Sequence, residues 1–312
     1  MTFIDKLTTD LKKNNLTDSS IKLYLTKLKK LNNNQLPSNL KFLNNIDDIK
    51  EIINKFNSKN TQRSYYISIV SILNTLKDNS KIYKKLYDKY HDMMISINDE
   101  LKKIDTTELT DKEKSKWIDY DDLLKIFDEL EDKVLSFIGK DKLDDKEYDL
   151  LIQYTTLALY LLNDPRRNDF KDMNIIKEFK EDEYSKDKNY YSVKDGKFYF
   201  YVYKTSKKFK EQIIDVNEKL RKILHLYFSF HPLFLKSKDY NIPLLVDKDG
   251  NPYNKINSIN RILGKIKKGL SSSLIRHSYL SKKFGDKTKE QKEISENMAH
   301  SMKTNQDYVK VV

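Results

Sequence analysis

The sequence predicts a mainly α fold with one small antiparallel β-sheet, divided between two domains, and three observations carry that reading. Apolar residues recur at helical spacing along most of the 312 residues. One stretch, Tyr190 to Val216, changes to a period of two. From Lys102 to Lys116 the periodicity gives way to a polar run, KKIDTTELTDKEKSK, which reads as an interdomain linker. The expected division is a helical domain over 1–105, a linker over 106–116 and a second domain over 117–312, with length enough for a core in each.

In chain order, SSIKLYLTKLKKL repeats Ile21, Tyr24, Leu25, Leu28 and Leu31 on one helical face behind the capping candidates Asp18 and Ser19. TQRSYYISIVSILNTL does the same with Tyr66, Ile69, Val70, Leu73 and Leu76 after Thr61. The opposite faces carry Lys27, Lys30, Arg63 and Lys77, so this first bundle has a basic side that could meet DNA. Beyond Trp117, Asp119 or Asp121 caps a helix through Leu130, and a longer helix runs from Asp145 to Leu162 until Pro165 ends it. The period-two stretch reads as YYSV, a turn at Asp195 and Gly196, KFYFYVY, a Lys-rich loop and EQIIDV. Helices are expected again at 217–230, 254–267, 273–284 and 289–300.

Composition narrows the function classes. With no Cys, disulfide frameworks, thiolate metal sites and Cys nucleophiles are excluded. No stretch approaches the roughly 20 apolar residues needed to span a bilayer, and MTFIDKLTTD has no secretory character, so an intracellular protein without membrane contact is expected. The net charge of +12 is uneven: +7 over 1–116, −7 over 117–150 and +12 over 151–312. Basic surfaces of this size bind polyanions through counterion release, which makes nucleic acid the leading partner. Of 59 basic residues only six are Arg (63, 166, 167, 221, 261 and 276). Such usage resembles coding drift in an AT-rich genome, as in a virus or mobile element and also in many bacteria and protists. Arg that survive such drift are enriched where a planar, bidentate fork is needed.

Exchange of phosphodiesters without a metal needs a nucleophile, cations on the nonbridging oxygens, and an acid for the leaving 5′-oxygen. Four segments offer such groups in sequence: LALYLLNDPRRNDF, YVYKTSKKFKEQIIDV, SSSLIRHSYLSKKF and ENMAHSMKTNQDYVKVV. Together they resemble the boxes of the tyrosine recombinase (phage integrase) family, across the C-terminal two-thirds of the chain. The resemblance implies that Arg166 is the first phosphate-binding Arg, oriented by Asp169 through a charged hydrogen bond. It assigns Lys204, in its "KT" pair, as general acid, Arg276 as the second phosphate-binding Arg, His300 as a hydrogen-bond donor to the scissile phosphate, and Tyr308 as nucleophile. Ser273 stands where the family usually has His, a departure that weakens whatever proton transfer or phosphate contact that position makes. His277 is read as a packing residue. Arg63, Arg167, Lys207 and Lys208 are candidate DNA contacts.

The fold implied by the resemblance is a helical core-binding domain followed by an α+β catalytic domain, closing on double-stranded DNA as a clamp and assembling as a homotetramer. The activity implied is site-specific recombination or integration through a 3′-phosphotyrosyl intermediate, with no cofactor, metal or ATP. Two alternatives stay open: a type IB topoisomerase-like enzyme that relaxes DNA, and a catalytically degenerate DNA-binding relative, for which Ser273 is the main support.

Overall fold

The computed structural model describes residues 2–104, 108–234, 236–237, 240–299 and 302. The chain forms two compact units, Met1–Leu109 and Thr110–Val312. Each has its own apolar core.

The first unit is wholly helical among its described residues: α1 (Phe3–Lys13), α2 (Asp18–Leu31), α3 (Ile46–Asn54), α4 (Lys59–Leu76) and α5 (Lys81–Lys102), with short 3-10 turns between. Its caps lie just upstream of the expected ones. Thr17 accepts from the Ser20 amide, so Asp18 opens α2 rather than capping it. Ser58 accepts from the Thr61 amide and thereby starts α4. The predicted apolar stripes turn inward: Ile21, Leu28 and Leu31 of α2 and Tyr66, Ile69, Val70, Leu73 and Leu76 of α4 are buried. Tyr90 of α5 is buried with them and donates its hydroxyl to the Leu43 carbonyl at 2.8 Å, which satisfies a polar group inside the core.

The second unit opens with a short capped turn, α6 (Asp111–Lys114), which falls inside the segment read as linker. α7 (Tyr120–Leu135) follows Asp119, whose carboxylate is taken by the Trp117 indole N–H at 2.8 Å and does not cap the helix. α8 (Asp145–Leu161) is the central helix. Every residue from Leu151 to Leu161 is buried, which is why its apolar pattern runs nearly all round rather than along one stripe.

A five-stranded sheet comes next: β1 (Met173–Ile176), β2 (Asn189–Ser192), β3 (Lys197–Phe200), β4 (Gln212–Asp215) and β5 (Tyr240–Pro243), in the order β4-β3-β2-β1-β5. The strands read from the period-two stretch are β2, β3 and β4, which pair antiparallel with Tyr191 opposite Phe198 and Phe198 opposite Ile214. The sheet as a whole corrects the antiparallel expectation, because β1 pairs parallel with β2 while β5 closes antiparallel on β1. Four-residue strands such as MNII and YNIP are too short to show a period, and only residues brought from elsewhere in the chain give them partners.

α9 (Ser206–Phe209) is one turn between β3 and β4. α10 (Glu218–Phe230) and α11 (Ser258–Ile266) complete the packing on α8, and α12 (Ser272–Asn297) follows. The two helices expected over 273–284 and 289–300 are one through Asn297. Gly285 interrupts neither hydrogen bonding nor packing there, since a helical Gly costs only about 1 kcal/mol against Ala and no Pro is near. Among the described residues no helix is long and apolar enough to cross a membrane.

Candidate active site

The end of α8 builds the first part of the site. Asn163 to Pro165 cannot prolong the helix, and the chain turns to present Arg166 and Arg167. Two anchors hold that turn. Tyr160, buried on α8, donates its hydroxyl to the Arg167 carbonyl at 2.6 Å. Phe170 packs edge-on against Phe198 and Phe200 of the sheet at 5.4 and 5.6 Å.

Arg166 is fixed on three sides. Its Nε donates to Asp169 Oδ2 at 3.0 Å, its Nη1 donates to Gln212 Oε1 at 2.6 Å, and its guanidinium lies 3.8 Å from the centre of the Phe200 ring. The Arg166 and Asp169 side chains are only 14% and 11% exposed, so the pair works in a setting where charge interactions are little screened. Burial pushes the Asp169 carboxyl above the usual aspartate range, while the guanidiniums of Arg166, Arg167 and Arg276 pull it back. Burial, joined by the Asp169 charge, also drives the Tyr160 hydroxyl far up, so it stays a protonated donor.

Arg276 reaches the same place from α12. That helix is held by Ser278, whose hydroxyl donates to the Ile118 carbonyl at 2.6 Å, and by Tyr279, whose hydroxyl bonds Asp164 in the turn before Arg166. Burial lowers the Arg276 guanidinium, and repulsion from Arg167 adds to it, with Asp169 opposing. An arginine so perturbed still carries its charge.

Lys204 follows β3 on an exposed loop, closed where Tyr203 donates its hydroxyl to the Lys210 carbonyl at 2.6 Å. Arg166, Arg167, Asp169, Lys204, Gln212 and Arg276 line one cleft of about 730 Å³. A second recess of about 840 Å³ shares Arg167, Asp169 and Lys204 and continues past Asn168, Ser272 and Ser273. Three of the six arginines thus gather at one cleft, with a lysine on its rim. The same lining carries the carboxylates of Asp164, Asp169 and Glu211, and Arg166 already spends its Nε on Asp169 and an Nη1 hydrogen on Gln212, which leaves the rest of its guanidinium for an anion.

Ser273 is exposed in the first turn of α12 and lines the second recess. His277 is exposed, which corrects the packing reading: the inward arc of α12 is Ser272, Ile275 and Ser278, and position 277 falls off it. Lys207 and Lys208 are exposed on α9. Arg63, in the first unit, is half-buried on α4 with its Nε unpartnered among the described residues. Near it Lys27 donates to the Ser64 carbonyl at 2.9 Å, and Lys30 lies 5.0 Å from the Phe56 ring centre. His300 and Tyr308 lie outside the described residues. Among those described, no group of three or more His, Asp or Glu is placed to hold a metal ion.

Sequence reasoning missed Tyr160, Gln212, Phe200 and Tyr203. Tyr160 reads as ordinary helix core and Gln212 as a strand end, and neither carries a local signal of its contact with the arginine turn. The comparisons with protein-family models, curated proteins and solved structures find no match.

Proposed function

We propose that this protein is a tyrosine recombinase, a DNA strand transferase that cuts and rejoins duplex DNA at a specific site through a covalent link to Tyr308. The observation that carries the reading is the convergence of Arg166, Lys204 and Arg276, from three separate chain segments, on one cleft. In a chain where Lys outnumbers Arg 53 to six, that gathering marks a place where a charge alone does not suffice.

The scissile phosphate is held by the forks of Arg166 and Arg276. The Tyr308 phenol oxygen attacks phosphorus as its proton leaves to solvent, the bond from phosphorus to the 5′-oxygen breaks, and the Lys204 ammonium gives that oxygen a proton. The product is a 3′-phosphotyrosyl enzyme and a free 5′-hydroxyl. A 5′-hydroxyl of another strand reverses the step, because the phosphodiester energy is kept in the tyrosyl bond. Asp169 holds Arg166 in register throughout, and fixed positive charge does most of the stabilising. His300 adds a hydrogen bond to the same phosphate, a role inferred from its spacing to Tyr308. Double-stranded DNA is the partner, and recombination of two duplexes calls for a tetramer on DNA.

One observation favours a second reading. Ser273, exposed in the first turn of α12, puts a short hydroxyl where the tyrosine recombinase family usually carries an imidazole, as a DNA-binding protein without catalysis would. Incubation with a nicked suicide duplex separates the two. The recombinase reading expects a denaturation-resistant protein–DNA adduct that is lost in Tyr308→Phe; DNA binding without any adduct would refute it. Supplying supercoiled plasmid and two target duplexes in the same series tells relaxation from recombination.

A further inference from the structure

Asn189, the first residue of β2, is 4% exposed, and its side-chain amide uses all four of its hydrogen-bonding positions. Its Oδ1 accepts from the Tyr201 amide at 2.9 Å and the Val202 amide at 2.8 Å. Its Nδ2 donates to the Val202 carbonyl at 2.9 Å and to the Asp169 carbonyl at 2.9 Å. The partners themselves settle the orientation of the amide, since two N–H groups face one end and two carbonyls the other.

The chain on either side of these bonds is held unequally. Asp169 has other anchors: its carboxylate on Arg166, Phe170 in the core beside it, and the Arg167 carbonyl on Tyr160. The segment leading to Lys204 is held through its rings, Tyr201 against Phe179 at 5.7 Å and Tyr203 under the Arg166 guanidinium at 4.9 Å, but its backbone has less to hold it. β3 and its ladder end at Phe200, opposite Gln212, and the next two amides go to Asn189 instead of a strand. We infer that Asn189 is a positioning residue of the proposed recombinase, fixing the Lys204 arm to the Arg166–Asp169 pair so that the proton donor faces the phosphate that Arg166 and Arg276 hold. No other side chain fills the place: Asp offers no N–H to the two carbonyls, and Gln is one methylene too long for a site this enclosed.

The inference rests on the recombinase reading, and its test separates the two. Adduct formation is timed in a single turnover on two suicide duplexes, one with the ordinary phosphodiester and one with a 5′-bridging phosphorothiolate. A sulfur leaving group departs without a proton, so the second substrate bypasses the lysine. In Asn189→Ala the ordinary substrate slows by roughly 10- to 100-fold, part of what a positioned acid contributes. On the phosphorothiolate the variant returns to nearly the wild-type rate, and its affinity for DNA stays at the wild-type value because the phosphate contacts are intact. Asn189→Asp, which keeps the shape, behaves alike and carries the test should the alanine variant fail to fold.

Hydrogen exchange gives a readout that does not depend on activity: residues 201–204 lose protection in Asn189→Ala while residues 166–170 keep theirs. Folded variants with an unchanged rate on the ordinary substrate, an equal deficit on both substrates, or equal loosening of both segments would each overturn the inference. If the wild-type chain forms no adduct on either duplex, it is the recombinase reading that fails.

Discussion

Acidification tests the packing of the second unit through one side chain. His231 ends α10 with no exposed surface, its Nε2 donating to the Pro243 carbonyl of β5 at 3.1 Å and its Nδ1 accepting from the Leu233 and Phe234 amides at 3.2 and 3.1 Å. Two amides on Nδ1 leave no room for a proton there. Burial accordingly takes the imidazole from 6.5 down to about 4. The folded value is the lower one, so as pH falls the unfolded chain takes up the proton first. The stabilisation is complete above pH 6.5, drains between 6.5 and about 4, and falls no further below that. About two and a half units at about 1.4 kcal/mol each put the loss at roughly 3 kcal/mol. For a unit of about 200 residues that lowers Tm by roughly 6 to 12 °C. Carboxylates titrate in the same window, so the assay is a difference: urea unfolding of the wild type and of His231→Asn from pH 7 to 4. The variant is less stable at pH 7 by about 1–3 kcal/mol, because the Pro243 carbonyl loses its donor. The gap then closes as the pH falls. A gap constant over that range, or a folded-state imidazole seen by NMR to titrate near 6.5, would refute the reasoning.

Arg166→Lys keeps the charge but cannot serve Asp169 and Gln212 while lying on Phe200; adduct formation is expected to fall by about 10²-fold or more, measured in a single turnover. Gly196 holds φ +62°, a backbone conformation strained for any L side chain, so Gly196→Ala should lower stability by about 1–2 kcal/mol in urea even though the Arg221 guanidinium, 2.7 Å from the added Cβ, can swing aside; an unmoved midpoint would count against this account of the β2–β3 turn. Lys210 holds φ 57° and ψ −155°, a region nearly reserved for glycine that costs about 1–3 kcal/mol. Lys210→Gly should therefore raise Tm even after the added freedom of the unfolded chain, and a lower Tm would show that the loop carries no such strain.

Much of the fold is legible in the residues themselves. Period and composition alone mark α2, α4, α7, α8, α10 and α11, the three strands from Asn189 to Asp215 and the polar stretch near the boundary of the units, whereas the single turns α6 and α9 fall in segments read as linker and loop. Each of these is a local property, written in neighbours two to four positions apart. Caps lie one residue upstream of the expected place at Thr17 and three at Ser58, because several hydroxyls and carboxylates compete for the same amides and packing decides among them. The candidate cations, too, could be picked out, since six arginines among 53 lysines draw attention one by one.

Only the tertiary structure brought those cations to one cleft. The parallel pairing of β1 with β2, Gln212 on Arg166 and the four bonds of Asn189 join residues 12 to 46 positions apart, and even the Tyr160 hydroxyl meets the Arg167 carbonyl seven residues on, across the turn that ends α8. The exposure of His277 likewise follows from which arc of α12 packs inward. Local sequence records how a segment coils or extends, through backbone sterics and side-chain period. It records nothing of which carbonyl a buried amide will meet, because that distance exists only once the core of the second unit has formed.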